Sequence, residues 1–203
     1  SPTMEEENLV FSDKIRSAIT LASGSPRVPI VLVLVGFVGS GKSTFASHLV
    51  EQSRNRKLWE IVSQDALGSR PKCEKAVVAA LARGRSVIID RTNLCISQRE
   101  PWIALAKTMP KSKAIKGTTV HALLFSTPLE TCKQRILSRS GHPTKVEGAH
   151  GLEIFERMIK SQVEFPQTNS GTSTTIEGFD IVSQIINQEG VDSALGAYTT
   201  SDI

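Results

Sequence analysis

The sequence predicts an α/β fold, a mostly parallel sheet with helices on both faces. Three observations carry this. The run "PIVLVLV" (29–35) is apolar on successive residues, the pattern of a strand buried on both faces in the middle of a parallel sheet. Further short apolar runs alternate with helical patterns along the chain, which implies crossover connections and helices on both faces. A glycine-rich stretch, "GFVGSGKST", lies between that first strand and a helix, outside the carboxyl end of a strand where such sheets hold ligands.

Taken in order, residues 8–22 read as a helical lead-in, with Leu9, Ile15, Ile19 and Leu21 loosely periodic before the loop "SGSPR". After the first strand, the helix from Lys42 carries Phe45, Leu49 and Val50, and "WEIVSQ" (59–64) is a second short strand. A helix over 71–83 has Pro71 in its first turn, Cys73, Val77 and Leu81 on one face, and Gly84 as its stop. "SVIID" (86–90) is the third strand; Ser97 and Glu100 form a capping box for a helix to about Lys107. "TTVHALLFS" (118–126) is the fourth strand. "TPLE" (127–130) then reads as another capping box, with Pro128 at the first helical position. A further helix over about 151–163 has Leu152, Phe155 and Ile159 on one stripe. "QTNSGTST" (167–174) is polar loop and "IEGFDI" a last strand. The expected organisation is a lead-in over 1–28, one domain over 29–188, and a small, polar, flexible tail over 189–203.

At 203 residues the chain suits one domain with a real core. Its 24 basic and 20 acidic residues leave a mild positive excess, compatible with a phosphate-rich partner without demanding one. Few aromatic residues argue against a surface built to stack many bases. Cys73, Cys95 and Cys132 show no C-x-x-C spacing and read as reduced thiols. The four histidines have no metal spacing, so no zinc site is expected. The longest apolar run is far shorter than the roughly 18 residues of a membrane span, and Glu5-Glu6-Glu7 is not the basic start of a signal peptide. The expectation is an intracellular protein, cytoplasmic or nuclear, with no membrane partner, and compatible with being part of a larger multidomain chain.

Gly36, Gly41, Lys42 and Ser43 satisfy G-x-x-x-x-G-K-[ST]. In such a loop (Gly36, Gly39, Ser40, Gly41, Lys42, Ser43, Thr44), backbone N–H groups and a helix N-terminus face the phosphates of a nucleotide. Lys42 is placed to bridge the β- and γ-phosphates, and the Ser43 hydroxyl to hold Mg²⁺. The third strand ends in Asp90 followed by Arg91, without the second carboxylate that many ATPases use to activate water. That favours transfer to a bound acceptor over hydrolysis. Transfer to an alcohol needs a base and positive charge around the moving group. Asp65 after the second strand and Asp90 at the end of the third suit an acceptor base and a Mg²⁺-water ligand, although each alone could be a strand-end cap. Arg135 and Arg139, four residues apart on one helix, share a face with no acid at pairing distance. They can close over phosphates as a lid or form a solvated basic face.

The stretches "GFVGSGKSTFA", "SQDALGSRPKC", "IIDRTNLCISQRE", "CKQRILSRSGHP" and "EGFD" resemble the 5′-kinase domains of polynucleotide kinases, their relatives inside RNA-ligase repair proteins, and kinase modules that accompany aprataxin-like histidine-triad domains. The resemblance covers about residues 30–180. It implies a P-loop kinase fold with an Arg-bearing lid, ATP or GTP with Mg²⁺, and a nucleic-acid 5′-hydroxyl end as acceptor. By position it implies Asp65 as general base, Lys42, Ser43 and Thr44 as nucleotide and Mg²⁺ contacts, and Arg135 and Arg139 as lid arginines. Asp90, Thr92 and Asn93 match the second acidic motif, and Arg99 an arginine near the active site; Thr92, Asn93, Arg99 and Arg70 are implied beside Asp65 as contacts to the acceptor. One departure concerns the acceptor. Several members carry an acceptor-clamping arginine three residues past the base; here Gly68 stands there, and Arg70 is the nearest replacement.

Three readings stay open on the sequence: a polynucleotide kinase, a kinase of a sugar, nucleoside or antibiotic, and a non-catalytic nucleotide-binding module. Lys107, Lys111, Lys113 and Lys116 form a basic stretch that serves equally as a nucleic-acid track or a solvated connector.

Overall fold

The computed structural model describes residues 28–53, 55–109, 117–139, 146–166 and 177–199. In chain order these form β1 (Ile30–Val35), α1 (Lys42–Gln52), a 3-10 turn (Arg56–Leu58), β2 (Trp59–Ser63), α2 (Gln64–Leu67), α3 (Arg70–Ala82) and β3 (Ser86–Asp90). There follow α4 (Ile96–Thr108), β4 (Thr119–Phe125), α5 (Leu129–Ser138), α6 (Gly148–Lys160), β5 (Ile181–Ile185) and α7 (Gln188–Thr199). The strands form one sheet in the order β2-β3-β1-β4-β5, and all four pairings are parallel. The fold class expected from the strand–helix alternation is the one observed.

β1 sits at the centre and shows why its sequence is apolar throughout. Val31, Val33 and Val35 point to a core shared with Cys73, Val77, Ala80 and Leu81 of α3 and Trp102, Ile103 and Ala106 of α4. Ile30, Leu32 and Leu34 point to a second core with Phe45, Ala46 and Leu49 of α1 and the apolar side of α7. Period-two alternation thus feeds both layers from one strand. A smaller cluster of Cys132, Ile136 and Phe155 joins α5 to α6.

The chain after residue 188 corrects the expectation of a flexible tail. Gly190, Ala194, Leu195, Ala197 and Tyr198 are buried in α7, at the spacing of one helical face. The small residues let the helix approach the sheet, and Tyr198 Oη lies 3.2 Å from His121 Nδ1 on β4. The Asn187 side chain accepts from the Gly190 N–H at 2.9 Å, an N-cap that starts the helix. The last strand is displaced too, beginning at Ile181 where the "IEGFDI" reading ends. Both capping boxes are unrealised. α4 opens one residue before Ser97 and has no side-chain cap. Ahead of α5, Thr127 Oγ1 donates instead to the Ser40 carbonyl at 2.9 Å. The helix placed over 151–163 starts earlier, at Gly148. The lead-in over 8–22, the loop over 167–174, and Lys111, Lys113 and Lys116 lie outside the described residues. No helix among the described residues is long and apolar enough to cross a membrane.

His121 is fully enclosed, and burial holds its imidazole down to about 4 against an ordinary 6.5. The folded state therefore binds the proton less tightly than the unfolded chain. The stability that the neutral ring confers is complete above pH 6.5 and declines as the pH falls toward 4, by about 3 kcal/mol. Urea denaturation across that window should show this slope, and His121→Gln should flatten it.

Candidate active site

The phosphate loop grows out of the sheet. Past Val35, the Gly36 N–H donates to the Thr92 carbonyl at 2.9 Å, continuing the β1–β3 pairing beyond both strands. The turn closes when the Ser40 N–H donates to the Phe37 carbonyl at 3.2 Å, and α1 begins as the Phe45 N–H reaches the Gly41 carbonyl at 3.0 Å. Lys42 is folded into this loop. Its ammonium donates to the Phe37 carbonyl at 2.7 Å and to Ser40 Oγ at 3.2 Å. Burial pulls its pKa down to about 8, opposed by Asp90, Cys132 and Asp65 and assisted by Arg139. A triphosphate arriving here would meet a desolvated cation whose charged form it favours.

Two cavities flank the loop. The larger, about 470 Å³, is walled by Ser40, Thr44 and His48 from the loop and α1, Arg135 from α5, and Asn187 and Gln188 at the start of α7. The smaller, about 230 Å³, holds Lys42, Ser43, Asp65, Asp90, Arg91 and Thr92. Gly39, Gly41 and Arg139 line both. They form the common wall between the cavities. Asp65 lies in the short α2 directly after β2 and is exposed to the smaller cavity, not turned into the interior. Its carboxylate and that of Asp90 reach one space because Ser63 pairs with Asp90 in the β2–β3 register. Gly36 lies beneath the loop, close to Ser40 and Phe125.

Ser43 and Asp90 give one hydroxyl and one carboxylate in the smaller cavity. Such oxygen donors suit a hard cation that keeps most of its waters, as Mg²⁺ does. Among the described residues no three His, Cys, Asp or Glu side chains gather into a ready-made ligand cluster.

The root of α5 is fixed to the loop. A Cβ built on Gly39, whose φ is +82°, would stand 2.6 Å from the Cys132 carbonyl oxygen, so only glycine permits this approach. Arg135 Nη1 donates to the Gly39 carbonyl at 3.3 Å. Arg139 is the residue just past the last helical turn. Both arginines face the larger cavity, and Arg139 reaches the smaller one as well. Cys132 and Ile136 form the buried side of α5, while Leu129 at its start is exposed.

Three residues implied on the acceptor side are not brought to it. Asn93 is buried at φ 48°, its amide donating to the Leu34 carbonyl at 2.8 Å and its oxygen accepting from Trp102 Nε1 at 3.3 Å. Arg99 is fully buried, donating to both oxygens of Glu177 at 2.8 and 2.7 Å and to the Asn93 carbonyl at 2.8 Å. Their geometry is that of a frame behind the Asp90–Thr92 segment, so a direct acceptor contact by either side chain is corrected. Arg70 is exposed and donates to Glu74 at 2.8 Å, and neither cavity includes it among its lining residues. The sequence reading missed Arg91, His48, Thr127, Asn187 and Gln188. All but His48 lie just beyond a strand's carboxyl end, and that position was the available signal.

The fold and this loop define a P-loop kinase-type domain. A family model described as "AAA domain" matches residues 31–161, and the chain belongs to that family. It is 31% identical over 172 residues to a protein named transcription factor bHLH140 from Arabidopsis thaliana, covering 83% of this chain and 17% of that protein. Over 78 residues it is 46% identical to a bifunctional polynucleotide phosphatase/kinase of Schizosaccharomyces pombe, covering 38% of this chain and 18% of that one. The chain therefore spans less than a fifth of the length of these two relatives. A fungal RNA kinase structure superposes with a TM-score of 0.56 at 17% identity, over 78% of this chain and 38% of that chain. A Janibacter sugar kinase superposes at 0.53 with 19% identity, over 83% and 93% respectively. Both likenesses establish the fold.

Gly39→Ala should lower stability by about 2 kcal/mol or more, through both the left-handed backbone and the Cys132 clash. Gly68→Ala has a similar φ but open space around its Cβ, so it should lose only about 1 kcal/mol. Thermal unfolding of the two variants, with nucleotide titration of each, checks the difference.

Proposed function

We propose that the chain is a polynucleotide 5′-hydroxyl kinase, moving the γ-phosphate of ATP or GTP onto the 5′-end of RNA or DNA in nucleic-acid repair or processing. The unit that does this runs from about residue 29 through α7. One observation carries the reading. Asp65 and Asp90 share a cavity with Lys42 and Ser43, and that cavity meets the larger one at Gly39, Gly41 and Arg139. A nucleotide lying in the larger cavity would thus present its terminal phosphate to an acceptor beside Asp65.

In this reading the acceptor's 5′-oxygen forms the new bond to the γ-phosphorus. The bond from that phosphorus to the β,γ-bridging oxygen breaks, and nucleoside diphosphate leaves with its electron pair. The hydroxyl proton passes to the Asp65 carboxylate. Lys42, Arg135 and Arg139 spread the charge of the transferring group. Ser43 and, through water, Asp90 are the residues that would hold Mg²⁺, which when bound neutralises charge on the β- and γ-phosphates. Relatives named polynucleotide phosphatase/kinase in Schizosaccharomyces pombe and in Acanthamoeba polyphaga mimivirus support the choice of acceptor.

Labelled ATP and GTP offered with 5′-hydroxyl RNA and DNA should show transfer that depends on Mg²⁺. Asp65→Ala should lower it by about 10²- to 10⁴-fold while nucleotide still binds. Near-normal transfer by Asp65→Ala would remove it as the base. Labelling of sugars or nucleosides without labelling of either oligonucleotide would replace the acceptor class.

A further inference from the structure

Arg91 shares with Arg135 and Arg139 a freedom from carboxylate ion pairs among the described residues, whereas other arginines near it are committed. Arg70 is paired with Glu74, Arg83 and Arg85 with Glu60, and Arg99 with Glu177. Arg91 makes no ion pair with a carboxylate among the described residues, although it lines the cavity that holds Asp65 and Asp90. Its position is not a floppy one. The guanidinium carbon lies 5.9 Å from the ring centroid of Trp102, a cation–π distance. The Trp102 indole is in turn tied to Asn93, and Asn93 to β1. The segment is further pinned where Thr92 accepts from Gly36. A half-buried guanidinium is therefore held on a rigid support in the wall of the smaller cavity.

Its placement says which ligand it would meet. Arg91 does not line the larger cavity, where Arg135 and the loop take the nucleotide side. It faces the space that the proposed reaction assigns to the acceptor. Burial disfavours its charged form and Arg70 adds repulsion, against the favourable charges of Cys73 and Asp65, and an anion in this space would favour the charged form further. A neutral sugar would leave the guanidinium desolvated and poorly paired.

We propose that Arg91 is the acceptor-specificity residue, binding a phosphate carried by the acceptor next to its attacking hydroxyl, as the 3′-phosphate of a terminal nucleotide would be. This rests on the kinase reading for the identity of the acceptor. Guanidinium and phosphate match in geometry and form paired charge-assisted hydrogen bonds. Arg91 thereby supplies, from the end of β3, the clamp that position 68 lacks and that Arg70 is not placed to give.

Binding can be tested separately from transfer. Isothermal titration of the full chain, with a non-hydrolysable ATP analogue present, would compare a nucleoside 3′-monophosphate with the matching nucleoside. The unaltered protein should prefer the phosphorylated ligand by about 30-fold. Arg91→Met should reduce that preference to less than about threefold, and Arg91→Lys should keep an intermediate value. Thermal unfolding and binding of the ATP analogue identify any variant that has lost its fold. A preference unchanged in a folded Arg91→Met protein would overturn the assignment, as would no preference in the unaltered protein. Arg91-dependent preference without phosphoryl transfer to any oligonucleotide would support the site and overturn the kinase reading instead.

Discussion

Parallel register at the centre of the sheet is the constraint on which the rest depends. β1 pairs with β3 on one side and β4 on the other, in the same direction, so the segments that follow all three emerge at one edge. The hydrogen bond from Gly36 to Thr92 and the Asn93 amide on the Leu34 carbonyl extend the β1–β3 ladder past the strands themselves. The phosphate loop and the Asp90–Arg91–Thr92 segment are consequently parts of one hydrogen-bonded unit. Asp65 joins them because β2 ends level with β3. Parallel pairing demands crossover helices, and those helices cover both faces, which is why the buried strands have to be apolar on successive residues.

Within that edge, charge is distributed by depth. Lys42 is buried against the loop's own oxygens, while Asp65 is open to the cavity beside it. Arg139 lines both cavities, and Arg91 the smaller one alone. In the proposed reaction this set of cations around two carboxylates would place positive charge along the path of the moving phosphoryl group.

Much of this was legible in the chain. "PIVLVLV" and "SVIID" declared buried strands because both faces of a central parallel strand are dry, and the glycine-lysine-serine loop declared its site because its spacing is dictated by phosphate geometry. Asp65 and Asp90 were found from their places after strands. The failures have physical reasons. Residues 188–199 look small and polar in composition, yet Ala194, Leu195, Ala197 and Tyr198 align only when wound into a helix. Asn93 and Arg99 carry chemistry-bearing side chains, and local sequence does not reveal that Glu177, 78 residues beyond Arg99, turns that arginine inward. Arg91 is not legible as a site residue from local sequence because the partner that shapes it, Trp102, lies on a separate element.

The stapling of α5 to the phosphate loop has a thermodynamic consequence at the moment of association. A free arginine has about 2 kcal/mol of rotamer entropy to surrender when it grips an anion. Arg135 already leans on the Gly39 carbonyl, from a helix whose backbone touches the same glycine. Part of its disorder has therefore been given up during folding, before any ligand arrives. In the proposed kinase an incoming triphosphate would exchange one acceptor for a better one and meet a receptor already preorganised on that side.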